Sequence, residues 1–268
     1  IVMYARKNLL KEKLEKGQKV LGMELWLRDP HLVELLGHAG YDFVHIESEH
    51  VGQDWTMVEN FVRAAELYGM TPLYRTEQCF DNEPPVNEII KALAVGAQII
   101  MVPQVSTAEA ARKAVAAAKY PPLGRRGIAT CDRSFPEIYP TPTVPLDVQK
   151  AAAECNNEVM VWCIIETPEG VENIEEILAV EGVDAVGFGH QDFSLAAGYS
   201  DEYGGNVARE KVREAAAKAG KYMWWNTDNL AGMVEECQNG TEIMLYAVDK
   251  IHIDRIFRES AKTFRDNT

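Results

Sequence analysis

The chain has 268 residues, 47% of them hydrophobic, which is enough to bury the core of one large domain, taken here as residues 1–268. Its formal net charge of −14 argues against nucleic acid and against anionic membrane surfaces as partners. The five cysteines are odd in number, widely spaced and form no CxxC pair, and no apolar run reaches membrane-spanning length. The expectation is therefore a reducing, cytoplasmic setting with neither disulfide framework nor zinc ribbon.

In chain order, residues 5–16 are charged and periodic and predict a surface helix. Val20–Leu27 predicts a strand, Leu32–Ala39 a helix stopped by Gly40, and Phe43–Ile46 a strand running into Glu47-Ser48-Glu49-His50. Thr56–Tyr68 is helical, Pro72–Tyr74 a strand ending on Arg75, and Thr76–Pro85 a polar, proline-bearing loop. Val86–Val95 is helical, Gln98–Val102 a strand and Ala108–Lys119 an alanine-rich helix. Tyr120–Pro145 holds six prolines and predicts a mobile active-site loop. Leu146–Ala153 reads as a helix. Val159–Ile165 and Val183–Phe188 are apolar strands around an amphipathic Val171–Val180. Gly204-Gly205 is expected to precede a helix at Ala208–Ala219. Lys221–Trp225 and Glu242–Val248 are the last strands, with helices at Leu230–Gln238 and Ile251–Phe264.

Eight strands alternating with helices at this length favour a single (β/α)₈ barrel, an α/β fold. An open doubly wound sheet is the rival, weakened by the lack of a GxGxxG or GxxxxGK[ST] stretch. In a barrel, polar residues just past the strand C-termini are the candidates for chemistry. Here they are Glu47, Glu49, His50, Arg75, Gln104, Glu166 and Asp192. Glu166 and Asp192 end the two strands of one βαβ unit, so they project from the same sheet edge, close enough to share a cation. Glu166 fits poorly as a mere helix cap, because Thr167 already supplies one. Two carboxylates completed by waters suit Mg²⁺ or Mn²⁺, with Co²⁺ a third candidate. Such a metal can polarise a 2-oxo acid, an arginine can hold an enolate oxygen, and a histidine can move the proton. No lysine sits at a strand C-terminus, which argues against a Schiff base.

The stretches Gly40-Tyr41-Asp42-Phe43 through Glu49-His50, Pro72–Arg75, Val95-Gly96-Ala97-Gln98 through Val102-Pro103, Tyr120-Pro121-Pro122 through Arg126-Gly127, Ile165-Glu166-Thr167 and Val180–Asp184 through Asp192 and Ser194 resemble the HpcH/HpaI aldolase/citrate lyase family. This family includes metal-dependent class II aldolases acting on 4-hydroxy-2-oxoheptanedioate and on 2-keto-3-deoxy sugar acids. The resemblance spans roughly Gly22 to Asp249. It implies a phosphoenolpyruvate/pyruvate-binding type of barrel, commonly a homo-hexamer built as a trimer of dimers with the last helix exchanged. It also implies Glu166 and Asp192 as metal ligands, Arg75 on the pyruvate oxygen, His50 as the proton-moving group through a metal-bound water, and the Gly189-His190-Gln191-Asp192 turn at the substrate carboxylate.

The chain departs from the pattern at several places. The family's histidine partner, an aspartate, is here Ala94, leaving Glu47 or Glu49 to orient His50. A glutamine becomes Ile164, a tryptophan becomes Glu24, and the turn acquires His190 and Gln191. Trp224 and Trp225 stand on opposite faces of their strand, so only one can point inward; Trp225 is placed at the substrate. The expected activity is cleavage or formation of a 4-hydroxy-2-oxo acid, giving pyruvate and an aldehyde through a metal-held enolate. The alternatives are decarboxylation of oxaloacetate by the same enolate, and a non-catalytic relative that binds a 2-oxo acid and metal.

Overall fold

The computed structural model describes residues 4–135, 147–198 and 202–268. A short helix, α1 (Leu9–Glu15), precedes β1 (Val20–Leu25). There follow α2 (Pro30–Ala39), β2 (Phe43–Glu47), α3 (Trp55–Leu67), β3 (Thr71–Arg75), α4 (Val86–Ala94), β4 (Ile99–Val102), α5 (Ala108–Ala118) and α6 (Val148–Glu158). The second half contains β5 (Met160–Ile165), α7 (Pro168–Glu172), α8 (Ile174–Leu178), β6 (Val183–Phe188), α9 (His190–Ala197), α10 (Glu202–Ala219), β7 (Tyr222–Thr227), α11 (Leu230–Gln238), β8 (Ile243–Tyr246) and α12 (Asp249–Asp266). The eight strands are parallel, pair in sequence order and close by β8 joining β1, so the chain folds as the expected (β/α)₈ barrel.

Local chemistry sets where the helices begin. Asp29, Asp54, Thr107, Asp147 and Thr167 stand before α2, α3, α5, α6 and α7, each accepting a backbone N–H from the first turn. Pro30 and Pro168 occupy first-turn positions, where a missing N–H costs nothing. Gly40 ends α2 at φ 89°, a left-handed conformation that favours glycine.

Strand alternation divides the core in two. Val44, Ile46, Ile100, Val102, Val161, Cys163 and Ile165 face outward against the helices. Phe43, Leu73, Ile99, Met101, Met160, Trp162, Ile164, Trp224, Ile243 and Leu245 fill the barrel interior. Large and small residues interlock there: Trp224 lies so close to Gly187 that a methyl at that glycine would overlap the indole.

Three expectations are corrected. The first is that α1 is not a surface helix. Its charged residues cover one side, but Leu10 and Leu14, at i and i+4, are buried with the barrel-interior residues and plug the N-terminal end. Asn8 fastens it, with its N–H on Glu158 Oε2 at 2.7 Å and its side-chain amide on the Glu158 carbonyl at 2.9 Å. The second is that Gly204 and Gly205 lie inside α10 rather than ahead of it. Gly205 packs against the His190 ring, which would have to shift to admit a side chain there. The third concerns the expected active-site loop at 120–145, of which residues 136–145 lie outside the described residues. Its described part, 120–135, sits at the N-terminal end of the barrel, where the Arg133 N–H donates to the Ala94 carbonyl at the end of α4 and Tyr120 stacks on Phe135.

If α1 is a plug, Leu10→Ala should cost about 2–5 kcal/mol of stability, read as a lowered denaturant midpoint. A loss below about 1 kcal/mol would return α1 to the surface.

Candidate active site

The inward positions of β2 and β3 carry the centre of the site. Phe43, His45 and Glu47 face the interior, and β3 sets Arg75 in register with Glu47. Glu47 is fully buried. Its Oε2 lies 3.2 Å from Arg75 Nη1 and 3.4 Å from His45 Nε2, and its Oε1 accepts the His50 N–H at 2.9 Å. Burial alone would raise this carboxyl, but the His45 imidazole, the Arg75 guanidinium and the His50 N–H outweigh burial and hold it down to about 2. Arg75 pairs through Nη2 with Glu49. Glu49 behaves oppositely: burial, with Glu47, Asp192 and Glu24 nearby, pushes it up to about 7 against the pull of Arg75.

Glu166 follows β5 and Asp192 lies in the first turn of α9, after the neighbouring strand β6. Neither is a helix cap. Thr167 caps α7, its hydroxyl accepting the Gly170 N–H at 3.0 Å, and Gly189 stands at the start of α9. Glu166 is buried; its Oε1 accepts the Gln104 N–H at 2.7 Å and its Oε2 lies against Gly189, where any side chain would collide with it. Burial raises Glu166 to about 7, with Glu49 and Asp192 adding to the rise and Arg75 and the Gln104 N–H opposing it. Among the described residues, no three His, Cys, Asp or Glu side chains converge as a ready-made metal cage. Glu166 and Asp192 stand near enough for the one to raise the other, and two such hard carboxylates are donors of the type Mg²⁺ or Mn²⁺ accepts.

The other candidates are spread around this centre. The His50 ring is half exposed, its Nε2 3.6 Å from Glu49 Oε2 and its centroid 6.1 Å from that of Trp26. Glu49 therefore faces the ring while Glu47 holds the backbone. Ala94 closes α4 at the opposite end of the barrel, so a carboxylate at that position would lie far from the His50 of its own chain. His190 and Gln191 open α9; the His190 ring meets Phe188 edge-on at 6.1 Å, and Gln191 is exposed. Trp225, placed at the substrate by the sequence, is on the outer face of β7, with the Arg209 guanidinium 4.6 Å from its ring centre. Trp224 is the inward one, and nearly all of it is buried. Three groups take places in the structure that the sequence did not assign them. Glu24 faces inward and accepts the Trp26 indole N–H at 2.6 Å. His45 lies two residues below Glu47, and the Gln104 backbone N–H reaches Glu166. Alternation back from Glu47 is the signal that would have found His45.

A closed barrel with a guanidinium and several carboxylates at the C-terminal mouth has the layout of a (β/α)₈-barrel enzyme. The HpcH/HpaI aldolase/citrate lyase family model matches residues 21–249, and the chain belongs to that family of aldolases and lyases. It is 34% identical over 212 residues to a 4-hydroxy-2-oxo-heptane-1,7-dioate aldolase of Escherichia coli ATCC 8739, covering 79% of this chain and 75% of the relative. It is 29% identical over 197 residues to the 2-keto-3-deoxy-L-rhamnonate aldolase of Escherichia coli K12, covering 74% and 69%. An HpcH/HpaI aldolase structure from Desulfitobacterium hafniense DCB-2 superposes with a TM-score of 0.84 at 30% identity, covering 96% of each chain. No helix among the described residues is long and apolar enough to cross a membrane.

The depressed acidity of Glu47 sets a pH signature. A carboxyl lowered from 4.5 to about 2 contributes stability that is full above pH 4.5 and is lost as pH falls toward 2. Chemical denaturation at pH 6 and pH 3 should therefore show the penalty of Glu47→Gln shrinking by on the order of 1–3 kcal/mol at the lower pH. A penalty independent of pH would contradict this assignment.

Proposed function

We propose that the protein cleaves a 4-hydroxy-2-oxo acid to pyruvate and an aldehyde, and runs the reverse condensation, with Mg²⁺ or Mn²⁺ held by Glu166 and Asp192. The observation that carries the proposal is the charge balance of the mouth: one guanidinium, Arg75, stands among Glu24, Glu47, Glu49 and Glu166, and Glu166 is raised further by Asp192. So many acids around one cation favour a second, and the names of the similar aldolases agree with this chemistry.

When bound, the cation supplies Lewis acidity toward the keto and carboxylate oxygens of the 2-oxo acid. Gly189 keeps the backbone close to Glu166, and the first turn of α9 offers free N–H groups to the substrate carboxylate. Arg75, fixed by Glu47 and Glu49, holds its charge against the keto oxygen, where negative charge gathers as the C3–C4 bond breaks. His50 moves the proton, off the 4-hydroxyl in cleavage and onto C3 as pyruvate forms. Glu49, near 7, is placed to orient the imidazole or exchange a proton with it.

Pyruvate release from a panel of 4-hydroxy-2-oxo acids, with oxaloacetate run in parallel, tests the reaction. Cleavage of at least one hydroxy-oxo acid is expected, and turnover of oxaloacetate alone would replace aldolase by decarboxylase. Chelation should abolish turnover and added Mn²⁺ restore it, whereas Glu166→Gln and Asp192→Asn should stay inactive with metal while remaining folded. Arg75→Ala should lower turnover by about 10²–10³. Full activity in chelated enzyme would remove the metal from the proposal.

The assembly proposed is a homo-hexamer. The exposed residues Ile251, Ile256, Phe257 and Phe264 on α12 support it. An apolar groove of about 420 Å³ also remains over β1 and β8, lined by Val20, Leu21, Met233, Val234, Cys237 and Met244. The α12 of a neighbouring copy fits that groove. Light scattering should report six chains, with Phe257→Asp lowering the number; a stable monomer at micromolar concentration would refute the exchange.

A further inference from the structure

We infer that His45 is a positioning residue for Arg75, acting through Glu47. The inference rests on the proposed role of Arg75 at the keto oxygen, and it concerns a residue that touches no substrate.

His45 is 2% exposed and lies on the inner face of β2, one inward position below Glu47. The same Glu47 oxygen, Oε2, stands 3.4 Å from His45 Nε2 and 3.2 Å from Arg75 Nη1. The second oxygen is committed to the His50 N–H. One buried carboxylate therefore joins three groups: the guanidinium above, the imidazole below and the loop that carries His50. Without the lower contact, the carboxylate could follow Arg75 as it moves. With it, Oε2 is fixed from two sides, and Arg75 gains a rigid partner on one nitrogen while Glu49 takes the other.

The surroundings give His45 no other task. Its register neighbours are Glu24 on β1 and Leu73 on β3. Glu24 accepts the Trp26 indole N–H, and Leu73 is apolar. Neither ring nitrogen of His45 has a hydrogen-bond partner among the described residues; the 3.4 Å approach of Nε2 to Glu47 Oε2 is the one polar contact the ring is placed to make. The neighbouring inward positions hold Phe43, Leu73 and Met101, so an apolar side chain would suit the packing. Facing the Glu47 carboxylate is what distinguishes histidine here.

The test combines kinetics with a readout that does not depend on activity. Exchange of the pyruvate methyl protons with solvent is followed by NMR in metal-loaded wild type, His45→Leu, His45→Gln, Glu47→Gln and the double variant His45→Leu/Glu47→Gln. His45→Leu should lower the exchange kcat about 10- to 100-fold with KM changed by less than about threefold. His45→Gln, which keeps a donor toward Glu47, should stay within about threefold of wild type. The double variant should be no worse than Glu47→Gln, since the two residues act as one unit. In parallel, the ¹⁵N side-chain resonances of Arg75, held in slow rotation by its two carboxylates, should broaden or merge in His45→Leu. His45→Asn, whose amide stops short of Glu47, replaces the leucine variant if that one does not fold. Wild-type exchange in His45→Leu, an unchanged Arg75 spectrum, or losses that multiply in the double variant would each overturn the inference. If metal-loaded wild type exchanges no pyruvate protons, the aldolase reading falls, and the Arg75 spectrum still decides the role of His45.

Discussion

The buried pairing of Glu47 with Arg75 fixes everything at the mouth of the barrel. A carboxylate with no exposure keeps its charge only when several donors surround it. Here the donors are a guanidinium from the next strand and a backbone N–H from the following loop, with the His45 imidazole 3.4 Å away from below. Removing any one would leave the others facing an uncompensated charge, so the strand register, the loop carrying His50 and the direction of Arg75 are set together. Two residues further along, Glu49 meets the same guanidinium from a more open position and remains close to neutral pH in its titration. Two acids on one strand end are thus divided by environment into a fixed anion and a group able to hold or release a proton.

The two ends of the barrel do different work. At the N-terminal end the polar contacts are structural. Lys119 donates to the carbonyls of Asn156 and Val159, Arg126 stacks 4.8 Å from the Tyr120 ring centre, and Arg133 pairs with Glu66. The charges there are paired within the chain, although Arg126 Nη1 and Arg133 Nε have no hydrogen-bond partner among the described residues. At the C-terminal end carboxylates outnumber their cationic partners. That asymmetry separates stability from chemistry in this fold. It explains why Arg126-Gly127, which looks from its place in a proline-rich loop like part of a site, belongs to the scaffold.

The barrel and its acids were legible because both leave one-dimensional traces. Strand period, glycine stops and capping residues give the element order, and a carboxylate next to a better cap, as with Glu166 beside Thr167, stands out without coordinates. What stayed hidden depends on which face of an element is buried. Alternation separates Trp224 from Trp225 but does not say which is inside; Gly187, in register with Trp224, makes the choice by leaving room for the indole. The charges of α1 conceal that Leu10 and Leu14 set its buried face. Gly204 and Gly205 read as a break because glycine weakens helices, whereas Gly205 lies within one and lets the His190 ring pack close. His45 looked like an ordinary strand residue until its neighbours on β1 and β3 were known.

The plug formed by α1 also governs traffic. With Leu10 and Leu14 closing the floor, and Phe43, Trp162 and Trp224 filling the shaft above it, the interior has no second exit at that end among the described residues. Whatever reaches Arg75 enters and leaves through the mouth. The seven-residue α1 and the aromatic shaft above it therefore close one end of the barrel together, and leave the mouth as the side from which Arg75 meets solvent.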